Sequence, residues 1–188
     1  MEEKELPVFI EGENISLIPQ NSENIKLYTK WLNDPKVRKY SRNFLPVRVE
    51  DIKDWFEPRE GRTPGFIGFE IWYKKDKKPI GHVGLGWLDW INGWTNVGLT
   101  IGEPAYWNKD VATEAAELII EYAFNELNLN KLHGGVCVKN IASWTVAEKL
   151  GFQLEGIREK EWYIDGEYLG LKTYCLLKED WMKRKSLK

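Results

Sequence analysis

The fold is decided at residues 101–115, which read Ile101-Gly102-Glu103-Pro104-Ala105-Tyr106-Trp107-Asn108-Lys109-Asp110-Val111-Ala112-Thr113-Glu114-Ala115. A β-rich run leads into this stretch, Pro104 marks a turn, and apolar residues recur at helical spacing from Val111 onward. A helix that begins directly after a turn presents unpaired backbone N–H groups and a partial positive charge, which suit a diphosphate. The stretch therefore predicts an anion site at the start of a helix.

The length and the charge of the chain limit the class of protein to which it can belong. A chain of 188 residues is typical of one domain, and we expect a single domain over residues 1–188. The formal net charge of −2 argues against a nucleic-acid partner held by a broad basic face. The basic run 183–185 is interpreted as a solvated C-terminus.

The cysteines, the histidines and the N-terminus bear on disulfides, metal sites and the cellular compartment. Cys137 and Cys175 each lie in an apolar, strand-like run, so no disulfide framework is expected. Neither has metal-ligand spacing, and His82 and His133 are far apart in sequence, so no metal site is predicted. The acidic N-terminus lacks the apolar core of a signal peptide, and no apolar run approaches the ~20 residues that span a bilayer. We expect a cytoplasmic protein without a membrane partner.

Hydrophobic periodicity predicts the order β-α-α-β-β-β-α-β-α-β-β, an α/β protein of the α+β type. The predicted strands are 14–19, 66–73, 80–87, 95–101, 132–138, 152–164 and 168–177. The predicted helices follow an N-cap at Ser22, run over about 49–56 and for roughly 15 residues from 111, and cover 140–150. Residues 57–65 read as a loop, and short turns between strands 66–101 indicate an antiparallel meander.

A second stretch carries further polar residues at fixed spacing. It reads Asn140-Ile141-Ala142-Ser143-Trp144-Thr145-Val146-Ala147-Glu148-Lys149-Leu150-Gly151-Phe152-Gln153-Leu154-Glu155-Gly156. Asn140 and Ser143 are three residues apart, so they share one face of the predicted helix. Gly151 occupies the position of a C-cap glycine, which ends that helix.

The order of elements and these two stretches resemble the GNAT superfamily, and within it the ribosomal-protein N-terminal acetyltransferases. In that group the turn often reads Trp-Gly-x-Gly-Tyr-Ala-Thr-Glu-Ala, and the second stretch reads Asn-x-x-Ser, then Glu-Lys-x-Gly-Phe, then Glu-Gly. The resemblance implies a GNAT fold, with a mixed, mostly antiparallel twisted sheet of six to seven strands and helices on both faces. It also implies acetyl-CoA as the cofactor, bound at the turn, and a homodimer.

The resemblance assigns cofactor contacts by position. The strand before the turn would pair with the amide groups of the cofactor, the turn would wrap its pyrophosphate, and the second helix would face the pantetheine arm. The residues implied are Leu99, Thr100, Ile101, Trp107, Asn108, Lys109, Asp110, Val111, Ala112, Thr113, Asn140, Ser143 and Lys149. Two alternatives stay open, since Asn140 also fits a plain N-cap and Ser143 an inert exposed polar residue.

Two glycine positions of the family turn are filled by Asn108 and Asp110. Glycine serves such a turn because it adopts positive φ and lets a ligand approach the backbone. Asn tolerates this conformation well. A carboxylate about 4 Å from a diphosphate would repel it by roughly 1–4 kcal/mol, which Lys109 could partly offset. Alternatively, Asp110 caps the helix by accepting a hydrogen bond from a following amide.

Acetyl transfer to an amine needs a proton acceptor and a group that protonates the leaving thiolate. Many GNAT enzymes have a Tyr acid where this chain has Ala147, which leaves Ser143 or a water. Family members often carry a Glu where the run 95–98 has Asn96. Asn accepts no proton, although it orients a water or the amine. We predict Ser143, Asn96 and Glu103 as catalytic residues, with His82 and Glu70 as further candidates for the base.

The acceptor side offers an aromatic cluster. Trp87, Trp90 and Trp94 surround one predicted hairpin, where they either form a wall for a cationic or peptide-like substrate or pack the sheet edge. The expected activity is acetyl-CoA-dependent acetylation of a primary amine, in the first place a protein N-terminal α-amine. The alternatives are a small amine, such as a polyamine or an aminoglycoside, and a non-catalytic module that binds acyl-CoA.

Overall fold

A computed structural model describes residues 6–41, 43–56 and 64–187 of the chain. Its strands are β1 (Ile10–Glu11), β2 (Ile15–Pro19), β3 (Phe66–Tyr73), β4 (Lys78–Asp89), β5 (Trp94–Ile101), β6 (Lys131–Cys137), β7 (Gln153–Ile164) and β8 (Glu167–Leu177). Its α-helices are α1 (Ile25–Asn33), α2 (Pro35–Arg38), α3 (Val49–Lys53), α4 (Val111–Glu121), α5 (Ile141–Lys149) and α6 (Lys178–Ser186). Most of the predicted loop 57–65 lies outside the described residues.

The strands form one mixed sheet in the order β1-β2-β3-β4-β5-β6-β8-β7. The mixed α+β architecture is confirmed, with β5 and β6 parallel and the pairs β1–β2, β2–β3, β6–β8 and β7–β8 antiparallel. The sheet has eight strands rather than six to seven, because β1 adds two residues that pair with Ser16 and Leu17. A two-residue strand is too short to leave an alternating pattern in the sequence.

The chain divides into two compact units. The first comprises residues 1–84 and 99–118, and the second comprises residues 85–98 and 119–188. β4, β5 and α4 each contribute to both units. The single domain expected over residues 1–188 stays a prediction.

The first unit has its own apolar core, in which α1 packs with α3. Tyr28, Trp31 and Leu32 of α1 are buried together with Ile52 of α3, since apolar residues three and four positions apart share one helical face. α1 ends at Asn33, and the Asp34 carboxylate caps α2 by accepting from two backbone amides. The predicted cap at Ser22 is wrong. Asn21 caps a short 3-10 turn by accepting a hydrogen bond from the Glu23 amide. The helical segment therefore begins one residue earlier than predicted.

The second unit holds α5, α6 and the β7–β8 hairpin. Asp165 and Gly166 have φ values of 50° and 86°, as the predicted tight hairpin turn requires. Residues 183–185 are exposed, as a solvated C-terminus requires, but they belong to a helix, α6, that the sequence pattern did not predict. Trp181 anchors this helix with a side chain that is 2% exposed. One buried residue gives no helical period, so the sequence pattern missed α6.

Within residues 6–41, 43–56 and 64–187, no helix has the length and apolarity needed to cross a membrane. In the same ranges, no group of three or more His, Cys, Asp and Glu side chains is arranged to hold a metal ion.

A close contact in the first unit explains Gly102. A Cβ atom at this position would lie 2.2 Å from Cδ2 of Trp31, which is a severe overlap. The same indole donates from Nε1 to Glu103 Oε1 at 2.8 Å, so α1 is held tightly against the end of β5. The chain therefore needs glycine at position 102 for space.

We expect Gly102→Ala to lower the free energy of unfolding by about 1–3 kcal/mol, because the added methyl group overpacks Trp31. Gly98→Ala is the matched control, since a Cβ there meets no atom within 4 Å. Urea denaturation followed by tryptophan fluorescence measures both. Equal stability of the two variants would contradict the packing argument.

Candidate active site

The turn between β5 and α4 has the backbone that glycine normally provides. Asn108 and Asp110 adopt φ values of 58° and 56°, in the left-handed region. These are the two positions at which the resemblance expects glycine. The turn therefore keeps its conformation although both side chains differ, and Asn and Asp are the residues that tolerate it best.

Backbone donors line this turn. The Tyr106 and Trp107 amides donate to Glu103 and Pro104 carbonyls, and the next amide with a backbone acceptor is that of Glu114, which donates to Asp110 O at 3.0 Å. Between these residues, and leaving Asp110 aside, five amides in the described part of the chain donate to no backbone carbonyl. They are the amides of Asn108, Lys109, Val111, Ala112 and Thr113. Successive free amides at a helix start form an anion site, so the turn fits a diphosphate.

Two residues of the motif hold the turn in place. Trp107 donates from Nε1 to the Ile101 carbonyl at 2.9 Å, which ties the turn to the end of β5. The Glu114 carboxylate accepts from the Asn14 amide at 2.8 Å and the Ile15 amide at 3.3 Å, which ties α4 to the start of β2. Both side chains position the backbone, and no local pattern indicates that Glu114 reaches a residue 100 positions away.

Positive charge accumulates beside the turn. The ammonium groups of Lys78 and Lys109 lie 5.0 and 4.9 Å from the ring centroid of Tyr106. The Tyr106 hydroxyl donates to the Asp76 carboxylate, which fixes the ring. Two ammonium groups therefore lie on the ring of a residue that directly precedes the turn, where they suit an anion.

We expect Asp110→Gly and Asp110→Asn to tighten acetyl-CoA binding at least about fivefold, because both remove a negative charge beside the diphosphate donors. Asn108→Gly is the control, since it also relaxes a left-handed position but leaves the charge unchanged. Isothermal titration calorimetry with acetyl-CoA measures the three dissociation constants. The same affinity for Asp110→Asn and the wild type would mean that the carboxylate faces away from the phosphates.

In the second unit, α5 presents Asn140 and Ser143. Asn140 occupies the N-cap position, but its side chain makes no capping hydrogen bond, which weighs against the plain N-cap alternative. Ser143 is exposed one turn further on. Trp144 fixes the helix start by donating from Nε1 to the Val138 carbonyl, and Gly151, with φ of 95°, follows its end near Lys149. The two polar side chains are therefore available to a ligand.

Pairing of β5 with β6 stops after three residue pairs. These are Trp94 with Lys131, Thr95 with Leu132 and Asn96 with His133, although both strands continue. Beyond the last pair, a Cβ on Gly98 or Gly134 would meet no atom within 4 Å. Backbone groups that lose their strand partner need another one, and a ligand with amide groups supplies it in the manner of an added strand. The predicted contact residues Leu99, Thr100 and Ile101 continue β5 in the first unit.

Glu103 is poorly placed as a base. Its Oε1 accepts from Trp31 Nε1 at 2.8 Å and from Lys30 Nζ at 3.0 Å. Burial raises the pKa of the Glu103 carboxyl, but these two hydrogen bonds outweigh it and bring the pKa below its usual value. A carboxylate with a lowered pKa is a weak proton acceptor, so the geometry disfavours the predicted catalytic role.

The two further candidates are also poor bases. Burial lowers the pKa of His82 on β4 to about 4, so its imidazole holds a proton only weakly. Glu70 on β3 is fully buried, and its Oε1 accepts from the Tyr28 hydroxyl and, at 2.8 Å, from Asn24 Nδ2. These bonds join α1 to β3 and leave the Glu70 carboxylate out of reach of a substrate. Asn96 lies in the last β5–β6 residue pair, opposite His133. His133 was not among the predicted site residues.

Comparison with known proteins identifies the family. The sequence model described as "Acetyltransferase (GNAT) domain" matches residues 15–153. The chain is 38% identical over 159 residues to the uncharacterized N-acetyltransferase YnaD of Bacillus subtilis, a match that covers 81% of the chain and 86% of that protein. The chain belongs to the GNAT acetyltransferase family. It is accordingly an N-acetyltransferase, and acetyl-CoA is its acetyl donor.

Two other GNAT proteins bear on the acceptor. A candidate ribosomal N-acetyltransferase, YdaF of Bacillus subtilis, is 30% identical over 169 residues, which covers 88% of the chain and 84% of that protein. The crystal structure of a spermidine N-acetyltransferase from Vibrio cholerae, in complex with CoA and spermine, superposes with a TM-score of 0.82. The superposition covers 90% of the present chain and 98% of the Vibrio cholerae chain. At 20% sequence identity, this likeness shows that the two proteins share a fold.

The residues at the turn and on α5 fit acetyl-CoA, which supplies the acetyl group as an activated thioester when it is bound. In the first unit, the amides of Asn108, Lys109, Val111, Ala112 and Thr113 and the lysine pair suit its diphosphate. In the second unit, the strand edge at Val97 and Gly98 suits its amide groups, and the Asn140 and Ser143 side chains are available to a ligand. Their individual roles stay predictions.

We expect Ser143→Ala to lower kcat on the order of 10²-fold while the affinity for acetyl-CoA stays nearly unchanged, because proton transfer by the hydroxyl matters for turnover and one such contact adds little to affinity. Thr145→Ala is the matched control, an exposed hydroxyl on the same helix. Thiol release measures kcat, and calorimetry measures affinity. A wild-type kcat for Ser143→Ala would remove this residue from the chemistry.

Proposed function

We propose that this GNAT enzyme acetylates a protein N-terminal α-amine. The observation that carries the proposal is the balance of charge beside the Asn96–His133 pair. The Glu155 carboxylate there is already paired with a cation, because Lys131 Nζ binds it at 2.7 Å. A polyamine carries several positive charges and is best held by unpaired carboxylates, whereas a peptide N-terminus brings a single charge.

An aromatic surface at the same place suits a peptide. The Trp94 ring meets the His133 ring edge-on, with centroids 5.4 Å apart and an interplanar angle of 88°. Trp87 and Trp90, on the same hairpin, are 79% and 40% exposed, so they are not packed into the sheet as the alternative interpretation expected. Exposed tryptophans offer flat, amphipathic contact area for the first side chains of a peptide.

The relatives differ in how much of the chain they match. The match to YdaF, which is named as a candidate ribosomal N-acetyltransferase, covers 88% of the chain. The spermidine N(1)-acetyltransferase of Escherichia coli strain K12 is 35% identical over 79 residues, which is 42% of the chain and 42% of that enzyme. The long match supports the peptide acceptor. The polyamine acceptor is the second candidate, and the spermidine relative and the fold of the Vibrio cholerae enzyme favour it.

A thiol-release assay with wild-type enzyme distinguishes the two acceptors. We expect kcat/KM for peptides that begin with Ala, Ser or Met to exceed kcat/KM for spermidine and spermine at least about tenfold, because paired carboxylates give a polycation no net attraction. A peptide with a blocked N-terminus and an internal lysine is the control for ε-amine acetylation. A higher kcat/KM for spermidine would assign the enzyme to polyamines.

We further propose that the enzyme works in the cytoplasm. Cys137 is buried and Cys175 is half-buried, and both are free thiols, which suits a reducing compartment. The homodimer implied by the family stays a prediction.

A further inference from the structure

His133 stands where a proton acceptor is needed. It pairs with Asn96 in the last residue pair of β5 and β6, directly before the two strands stop pairing. Paired residues of neighbouring strands point to the same face of a sheet, and Trp94 shares that face because it lies two residues before Asn96. The edge-on contact of Trp94 with His133 confirms this placement. Asn96 accepts no proton, so the imidazole is the basic group of this pair.

A carboxylate stands behind the imidazole. Glu155 Oε2 lies 3.8 Å from His133 Nδ1, and Glu155 Oε1 accepts from Lys131 Nζ at 2.7 Å. The Cys175 thiol hydrogen-bonds to the same carboxylate. Because the negative charge faces Nδ1, it favours the proton on Nδ1 and leaves Nε2 as the acceptor nitrogen. The His133 side chain is 30% exposed, which gives a substrate access.

Strand pairing brings Glu155 to this face. On β8, Cys175 pairs with His133 on one side and with Gln153 on the other, and Glu155 lies two residues after Gln153 on β7. Alternation along β7 therefore puts the Glu155 carboxylate on the face of His133 and Cys175. The β7–β8 register shifts at Glu155, so this residue also lies in a β-bulge, and bulges are frequent beside active sites.

We propose that His133 is the general base of amine acetylation and that Glu155 is its positioning residue. The proposal rests on the N-acetyltransferase activity and holds for either acceptor. The acceptor arrives as an ammonium ion, and His133 Nε2 takes one proton and passes it to solvent. The free amine then forms the C–N bond while the C–S bond breaks. Its second proton ends on the sulfur, so the products are the amide, the CoA thiol and one proton.

The surroundings keep the imidazole neutral. Burial and the Lys131 ammonium lower the pKa of His133, and Glu155 opposes this in part. Lys131, Glu155 and Cys175 are the titratable groups that face it, with the uncharged Asn96 and Trp94 on β5. The pKa of His133 therefore lies below its usual value, and the neutral base predominates at pH 7. Activity should fall only as the pH drops through that pKa.

The first test is His133→Gln with His82→Gln as the matched control, since these are the two histidines of the chain. We expect kcat to fall about 10²–10⁴-fold in His133→Gln and to stay near the wild-type value in His82→Gln. Calorimetry should give both variants the wild-type affinity for acetyl-CoA. A wild-type kcat in His133→Gln overturns the proposal.

The second test needs no change at His133. The ring-proton resonances of the two histidines are titrated by NMR without acetyl-CoA, and His82→Gln assigns them. We expect the His133 midpoint to coincide with the acid limb of kcat, and Glu155→Gln to move both to lower pH because it removes the charge that favours imidazolium. An acid limb that follows the pKa of the acceptor amine instead, or that Glu155→Gln leaves in place, overturns the proposal.

The outcomes separate this proposal from the choice of acceptor. Wild-type turnover of spermidine rather than peptides overturns the peptide acceptor and leaves His133 as the base. Turnover that His133→Gln retains overturns the base and leaves the acceptor assignment intact. Should His133→Gln fail to fold, the wild-type titration and Glu155→Gln decide.

Discussion

The parallel pairing of β5 with β6 is limited to three residue pairs, and the features of the second unit that matter for chemistry depend on this limit. Beyond Asn96 and His133, the backbone N–H and C=O groups with which β5 and β6 would face each other lose that partner, although β6 still pairs with β8, and such groups need another one. Open space at Gly98 and Gly134 keeps side chains away from those groups. The same limit makes Asn96 and His133 the last pair, so a base and an opening for the acetyl donor adjoin each other.

In the first unit, the corresponding constraint is the left-handed backbone at Asn108 and Asp110. With left-handed residues on both sides of Lys109, the amides of Asn108, Lys109, Val111, Ala112 and Thr113 donate to no backbone carbonyl in the described part of the chain. Glycine is the usual way to reach this conformation, but the backbone, and not the residue type, is what binds an anion. Side chains elsewhere then hold it in place, and Trp107 and Glu114 do this through bonds to β5 and β2.

Local patterns predicted what depends on neighbours in sequence. The tight turn at Asp165 and Gly166, the helix stop at Gly151 and most strand bounds follow from residue types a few positions apart. α6 was missed because Trp181 is its one buried residue, and the cap at Ser22 was misplaced because the helical segment begins one residue earlier, with Asn21 as its cap. The role of His133 could not be predicted at all. It depends on the β5–β6 register and on the pairing of β6 and β7 with β8, and these are set by tertiary contacts.

The position of His133 changes how Asn96 is interpreted. Replacement of a carboxylate by an amide on β5 suggested a module that binds acyl-CoA without turnover. That argument assumes that the base must lie on β5. Residues paired across parallel strands face the same side of the sheet, so a proton acceptor on β6 serves the same opening. An imidazole backed by Glu155 has a pKa closer to neutrality than a solvated carboxylate, and it is therefore the better proton acceptor for an ammonium ion. Asn96 then orients rather than accepts, and the amide at this position is compatible with an active acetyltransferase.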